Sequence, residues 1–139
     1  MNITDKEELC RRAVLARQSA YAPYSEYMVG AAVLTSGGKI YTGANIENSS
    51  YPAGICAEIS AAAAAVNAGD TVFEAIAVAS ENPGDEAAYP CGVCRQFLSE
   101  FIHSDIPVYL ISGSTEPAEE SFYSIFPNGF KLKGHNDNE

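Results

Sequence analysis

Cys56-Ala57-Glu58-Ile59-Ser60-Ala61-Ala62-Ala63-Ala64-Ala65-Val66-Asn67-Ala68-Gly69 reads as a helix that opens on a cysteine and stops at a glycine. Alanine has the best helix propensity of any residue, and glycine is the usual residue just past a helix end. The stretch before it, residues 44–54, carries Asn45, Asn48, Ser49, Ser50, Pro52 and Gly54 and reads as a loop. Further on, Pro90-Cys91-Gly92-Val93-Cys94 opens another helix at Cys91. Upstream, Thr4-x-x-Glu7 is a capping box, and Leu9, Ala13, Ala16 and Ala20 follow at helical spacing, which predicts a first helix from about residue 5 to 20. Tyr21-Ala22-Pro23-Tyr24-Ser25 breaks it, and the apolar runs 29–34 and 39–43 flank Ser36-Gly37-Gly38 as a β-hairpin. Residues 73–79 and 107–112 read as buried strands, 81–89 as a surface loop, and 117–126 as a short last helix stopped by Pro127 and Gly129. Strands interleaved with helices, beginning with a hairpin, predict a mixed sheet covered by helices. The length predicts one domain over residues 1–139, with a disordered tail from about 134.

Eight Lys and Arg stand against eighteen Asp and Glu, a formal charge of −10, which repels a phosphate backbone and excludes a nucleic-acid polymer as the expected partner. The first residues are polar and carry both signs of charge, so neither a signal peptide nor a membrane span is expected, and the protein reads as intracellular. Cysteines in such a reducing compartment are poor disulfide formers.

Cys91 and Cys94, three apart at the start of a helix, share one face of its first turn and can grip one ion. Cys56 opens its own helix, and the N–H groups and dipole at each helix start favour thiolate over thiol. Three protein ligands are the usual set of a catalytic zinc, whereas structural zinc is normally closed by four. Cys10 has no ligand partner nearby in sequence, and neither His103 nor His135 lies at metal-binding spacing. Glu58, two residues after Cys56, projects from the same turn and can reach a water beside the metal without ligating it, the place of a proton shuttle.

The Cys-Ala-Glu and Pro-Cys-Gly-Val-Cys elements together have the pattern of zinc deaminases. With Ala20-Tyr21-Ala22-Pro23-Tyr24-Ser25, Val29-Gly30-Ala31-Ala32, Asn45-Ile46-Glu47-Asn48, Tyr51-Pro52-x-Gly54-Ile55 and Arg95-Gln96, the chain resembles the small homotetrameric cytidine deaminases from Tyr21 to about Phe130. The resemblance implies a three-layer α/β/α fold with a mixed central sheet. It also implies one zinc per chain, a free pyrimidine nucleoside as substrate, a uracil ring and ammonia as products, and a cytoplasmic role in pyrimidine salvage. It assigns Cys56, Cys91 and Cys94 to the metal, Glu58 to catalysis, and Asn45 and Glu47 to the ribose 3′-hydroxyl. Tyr27, Val29 and Ala57 fall to the substrate, Phe130 to a neighbouring subunit's base pocket, and Arg95 to a metal-bound thiolate.

The chain departs from the family pattern at Tyr27, where phenylalanine is more usual, at Met28 in place of a proline, at Ile59 in place of an arginine, and at Tyr89 in place of a small hydroxyl residue. Ile59 keeps a second substrate class open, since related antibiotic deaminases also have an apolar residue there: blasticidin S, a modified cytidine or a free base. A non-catalytic zinc-stabilised domain is the other alternative, against which Glu58 counts, because a structural site has no use for a carboxylate at that place.

Overall fold

The computed structural model describes residues 3–81, 89–113 and 116–132. Helix α1 (Ile3–Ala16) tightens into a 3-10 turn at Arg17–Ser19, and the hairpin follows as β1 (Gly30–Thr35) and β2 (Ile40–Ala44). Gly38, at φ +80, makes the hairpin turn and donates its N–H to the Thr35 carbonyl at 2.9 Å. Then come α2 (Ala57–Asn67), β3 (Phe73–Ser80), α3 (Gly92–Ser99), β4 (Pro107–Ser112), β5 (Ala118–Ser121) and α4 (Phe122–Ile125). The sheet order is β2-β1-β3-β4-β5; β3 and β4 are parallel and the other neighbours antiparallel.

Both faces of this sheet are covered, which is why β1, β3 and β4 read as nearly unbroken apolar runs. Leu9 and Ala13 of α1 pack on Ala32, Leu34, Ala75, Ala77, Ala79, Tyr109 and Ile111. The residues alternating with these, Ala31, Val33, Ile76, Val78, Val108 and Leu110, meet Ala57, Ala61, Ala62 and Ala65 of α2, Leu98 of α3 and Phe122 of α4. The three-layer α/β/α arrangement expected from the sequence is therefore present.

One expectation is corrected. Residues 117–126 do not form a single helix: Ala118–Ser121 pair with β4, Leu110 opposite Ala118 and Pro107 opposite Ser121, and only Phe122–Ile125 are helical. Ala118, Glu119 and Glu120 favour helix locally, but the open edge of β4 offers their backbone a full ladder. The exposed Glu119 suits an edge strand, where charge discourages further pairing. Most of the expected surface loop and all of the expected disordered tail lie outside the described residues.

Two glycines set how closely the layers approach. A Cβ on Gly30 would meet the Ala13 carbonyl oxygen of α1 at 2.2 Å, and one on Gly43 would meet the Ala61 nitrogen of α2 at 2.4 Å. Gly43 thus lets α2 lie directly on β2, and α2 carries Glu58 in its first turn. Gly43→Ala is expected to cost about 3 kcal/mol and lower the melting temperature by roughly 10 °C. A melt within about 2 °C of the parent would show that helix and strand are not in this contact.

Candidate active site

The sheet register places one cluster of loops together. Gly30 lies opposite both Ala44 and Ala79, so the start of β1, the end of β2 and the end of β3 share one edge of the molecule. Chain leaving that edge leads to the starts of α2 and α3, and each of these helices is capped by a cysteine. Cys56 is the extended N-cap of α2. Cys91 is the N-cap of α3, its Sγ accepting the Cys94 N–H at 3.4 Å. The three sulfurs of Cys56, Cys91 and Cys94 lie within 4.8 Å of one another, with Cys94 fully buried and Cys91 exposed.

Cys91 Sγ lies 3.3 Å from Cys94 Sγ, and Cys94 is joined to Cys56 by a disulfide, contrary to the expectation that these cysteines stay reduced. The reason is proximity: two helix starts aim their sulfurs at one point, where they can bond to each other or share an ion. The Cα atoms of the joined pair are 7.2 Å apart, wider than the usual disulfide span. Thiolates on one tetrahedral zinc stand about 3.8 Å apart, given Zn–S bonds of about 2.3 Å, and the wider Cα span suits that arrangement. With the Cys56–Cys94 bond reduced, three thiolates, two of them on helix N-caps, fit zinc. Cys10 lies on α1 across the sheet, and neither it nor His103 joins the cluster.

Glu58 follows Cys56 by two residues and is only 5% exposed. Burial raises its pKa above the ordinary carboxylate value, and its own backbone N–H offsets part of this. A carboxyl group moved toward neutrality in this way is better suited than an ordinary one to both taking and giving a proton.

Beside the sulfurs runs an open cleft of about 480 Å³, lined by Tyr24, Ser25, Asn45, Glu47, Tyr51 and Cys56 among others. A short bridge fixes its floor: Ile46 exchanges both backbone hydrogen bonds with Ile55, at 2.9 and 3.0 Å, which ties the Asn45–Glu47 segment to the residue before Cys56. Asn45 accepts the Val29 N–H and donates to the Tyr27 carbonyl, both at 2.9 Å. Glu47 accepts the N–H groups of Tyr24 and Ser25 at 3.0 and 3.1 Å and the Ser25 hydroxyl. The Ser25 hydroxyl, with those N–H groups, holds the Glu47 pKa below the ordinary value. The expected substrate residues thus divide: Asn45 and Glu47 line the cleft beside Cys56, Ala57 is buried in the adjoining first turn of α2, and Tyr27, Val29 and Phe130 do not line it. Tyr24, Ser25 and Tyr51 are cleft residues to which the sequence reading gave no role. Tyr24 and Ser25 stand in the sequence as a helix break and as part of the motif shared with the family, neither of which assigns them a contact.

Residues 3–110 match the family described as "Cytidine and deoxycytidylate deaminase zinc-binding region". The chain belongs to this family. It is 41% identical over 126 residues to the cytidine deaminase of Sporosarcina psychrophila, covering 91% of each chain. To the cytidine deaminase of Halalkalibacterium halodurans it is 38% identical over 133 residues, 96% of this chain and 99% of the relative. The crystal structure of cytidine deaminase from Burkholderia pseudomallei superposes with a TM-score of 0.83 at 38% identity, over 94% of this chain and all of that one.

For a deaminase of this family, zinc is the metal that the three cysteines are positioned to hold. Arg95, expected on a thiolate, is instead hydrogen-bonded to two carbonyls, Pro90 at 2.7 Å through Nε and Ile125 at 2.5 Å through Nη1. It braces the turn before Cys91 against α4, because carbonyl oxygens of neighbouring segments lie within reach of its rigid fork. Gln96 clamps the Phe130 peptide in both directions, Nε2 to the carbonyl at 2.7 Å and Oε1 from the N–H at 3.2 Å, while the Phe130 side chain is 66% exposed. Tyr89 donates to Glu120 at 2.9 Å, tying the approach to Cys91 to β5, and Ile59 is half-buried.

Proposed function

We propose that this enzyme hydrolyses the exocyclic amino group of cytidine and deoxycytidine, releasing uridine or deoxyuridine and ammonia, as its place in the deaminase family supports. The observation that carries this reading is the buried Glu58 carboxyl in the first turn of the helix whose N-cap sulfur converges with Cys91 and Cys94. When bound by Cys56, Cys91 and Cys94, zinc supplies a water of lowered pKa as nucleophile. Glu58 would take a proton from the attacking water as the C4–O bond forms and deliver it to N3. It then carries the remaining hydroxyl proton to the departing amine, so that a C4 carbonyl is left and ammonia leaves. Asn45 and Glu47 hold the sugar, Ala57 lies beside the base, and Arg95 keeps the Cys91 turn in place.

The outward-facing Phe130 suits a homotetramer in which it completes a neighbouring subunit's base pocket, as the family resemblance implies. The whole chain is read as one domain. Among the described residues no helix is long and apolar enough to cross a membrane. A cytoplasmic enzyme of pyrimidine salvage is the reading these features support, with a free nucleoside as its substrate and the charge of −10 disfavouring a polymer.

A parallel assay of cytidine, deoxycytidine, cytosine and blasticidin S tests the substrate. The two nucleosides are expected to turn over with kcat/KM at least about 100-fold above cytosine, because a site built to bind a hydroxyl rejects an analogue lacking it. Preference for blasticidin S or for the free base would replace this reading with that of another aminated-ring deaminase.

A further inference from the structure

We propose that Ser25 is a positioning residue that leaves Glu47 one acceptor site and aims it at a hydroxyl of the sugar; this rests on the reading of Glu47 as a sugar-binding group. A carboxylate has about four lone-pair sites. Among the described residues three donors fill three of them, all from two consecutive residues: the Tyr24 and Ser25 N–H groups on Oε1 and the Ser25 hydroxyl on Oε2. Oε1 is saturated, so Oε2 alone can accept from a ligand in the cleft that Glu47 lines.

Ser25 also fixes its own direction. Its Oγ accepts the Tyr27 N–H at 3.0 Å, a contact made possible by Glu26, whose φ of +59 folds the backbone back on itself. With that acceptor site occupied, the Ser25 proton is directed to Glu47 Oε2. The same Tyr27 peptide unit is held from its carbonyl side by Asn45 Nδ2. Among the described residues Asn45 keeps one N–H and one lone pair unspent, and Glu47 one lone pair, so together they can hold one hydroxyl as both donor and acceptor. Without the Ser25 hydroxyl, Oε2 would regain a second open site and lose its single accepting direction, while the Tyr24 and Ser25 N–H groups still hold Oε1.

The test compares wild type, Ser25→Ala, Ser25→Thr and Glu47→Gln on cytidine, 2′-deoxycytidine and 2′,3′-dideoxycytidine. KM and kcat are measured for each, with competitive Ki against cytidine where turnover of the dideoxy compound is too slow. Ser25→Ala is expected to lower kcat/KM for the first two substrates by roughly 10- to 100-fold, chiefly through KM, as loss of a hydrogen bond to a charged group does. For dideoxycytidine the change should stay within about threefold, and Ser25→Thr should recover most of the loss. Equal losses on all three substrates would overturn the proposal, since a structural defect has no reason to sense the sugar hydroxyl. Glu47→Gln separates the two layers. If it discriminates among the substrates and Ser25→Ala does not, only the role of Ser25 fails; if it does not discriminate, the sugar reading fails and the proposal with it.

Discussion

Glu58→Gln is expected to keep its metal and its fold while losing at least about 10³-fold in kcat on cytidine. Positioned acid–base catalysis contributes about 10²–10⁴-fold, and a group that serves more than one proton transfer belongs at the upper end. Glutamine has nearly the same shape, so packing at this 5% exposed position is retained. Burial already disfavours the charged form of Glu58, and an uncharged amide therefore brings no new desolvation cost. The loss should fall on kcat with KM little changed, the signature of an interaction made in the transition state. Circular dichroism and metal analysis on the same sample establish that the variant is folded and loaded. Activity within about tenfold of wild type would remove Glu58 from proton transfer.

Cys94→Ala is expected to abolish both metal binding and turnover. Cys94 is fully buried, and its sulfur meets both Cys91 and Cys56, so its loss leaves two donors on separate helices with nothing between them. Zinc affinity should drop by more than about 100-fold, beyond what loss of an outer-shell partner costs. The matched control is Cys10→Ala, which removes a half-buried thiol on the opposite side of the sheet and should retain full zinc and activity. Zinc retained in Cys94→Ala would show that the cysteine cluster is not the binding site.

The parts of this site readable in the sequence are those set by local geometry. Cys91 and Cys94 at helical i, i+3 spacing, Cys56 and Glu58 in one first turn, and the Gly37-Gly38 turn are each fixed by a few consecutive residues. What was not readable depends on segments distant in sequence. Strand β5 exists because β4 has an open edge, and the helix-favouring Ala118-Glu119-Glu120 carry no sign of that. The donors to Glu47 come from Tyr24 and Ser25, and Asn45 spends half its amide on Tyr27 and Val29; these contacts form only when the loops meet at one end of the sheet. Arg95 reaches the Ile125 carbonyl across α3 and α4, a pairing that no spacing announces.

Zinc titration into metal-stripped, reduced protein, with uridine and ammonia formed from cytidine as the readout, most directly tests a three-cysteine zinc deaminase. Turnover is expected to rise in proportion to added zinc and to level at about one equivalent per chain, with uridine and ammonia formed in equal amounts. Full turnover without zinc, or a zinc-saturated chain that deaminates no cytosine nucleoside, would contradict it.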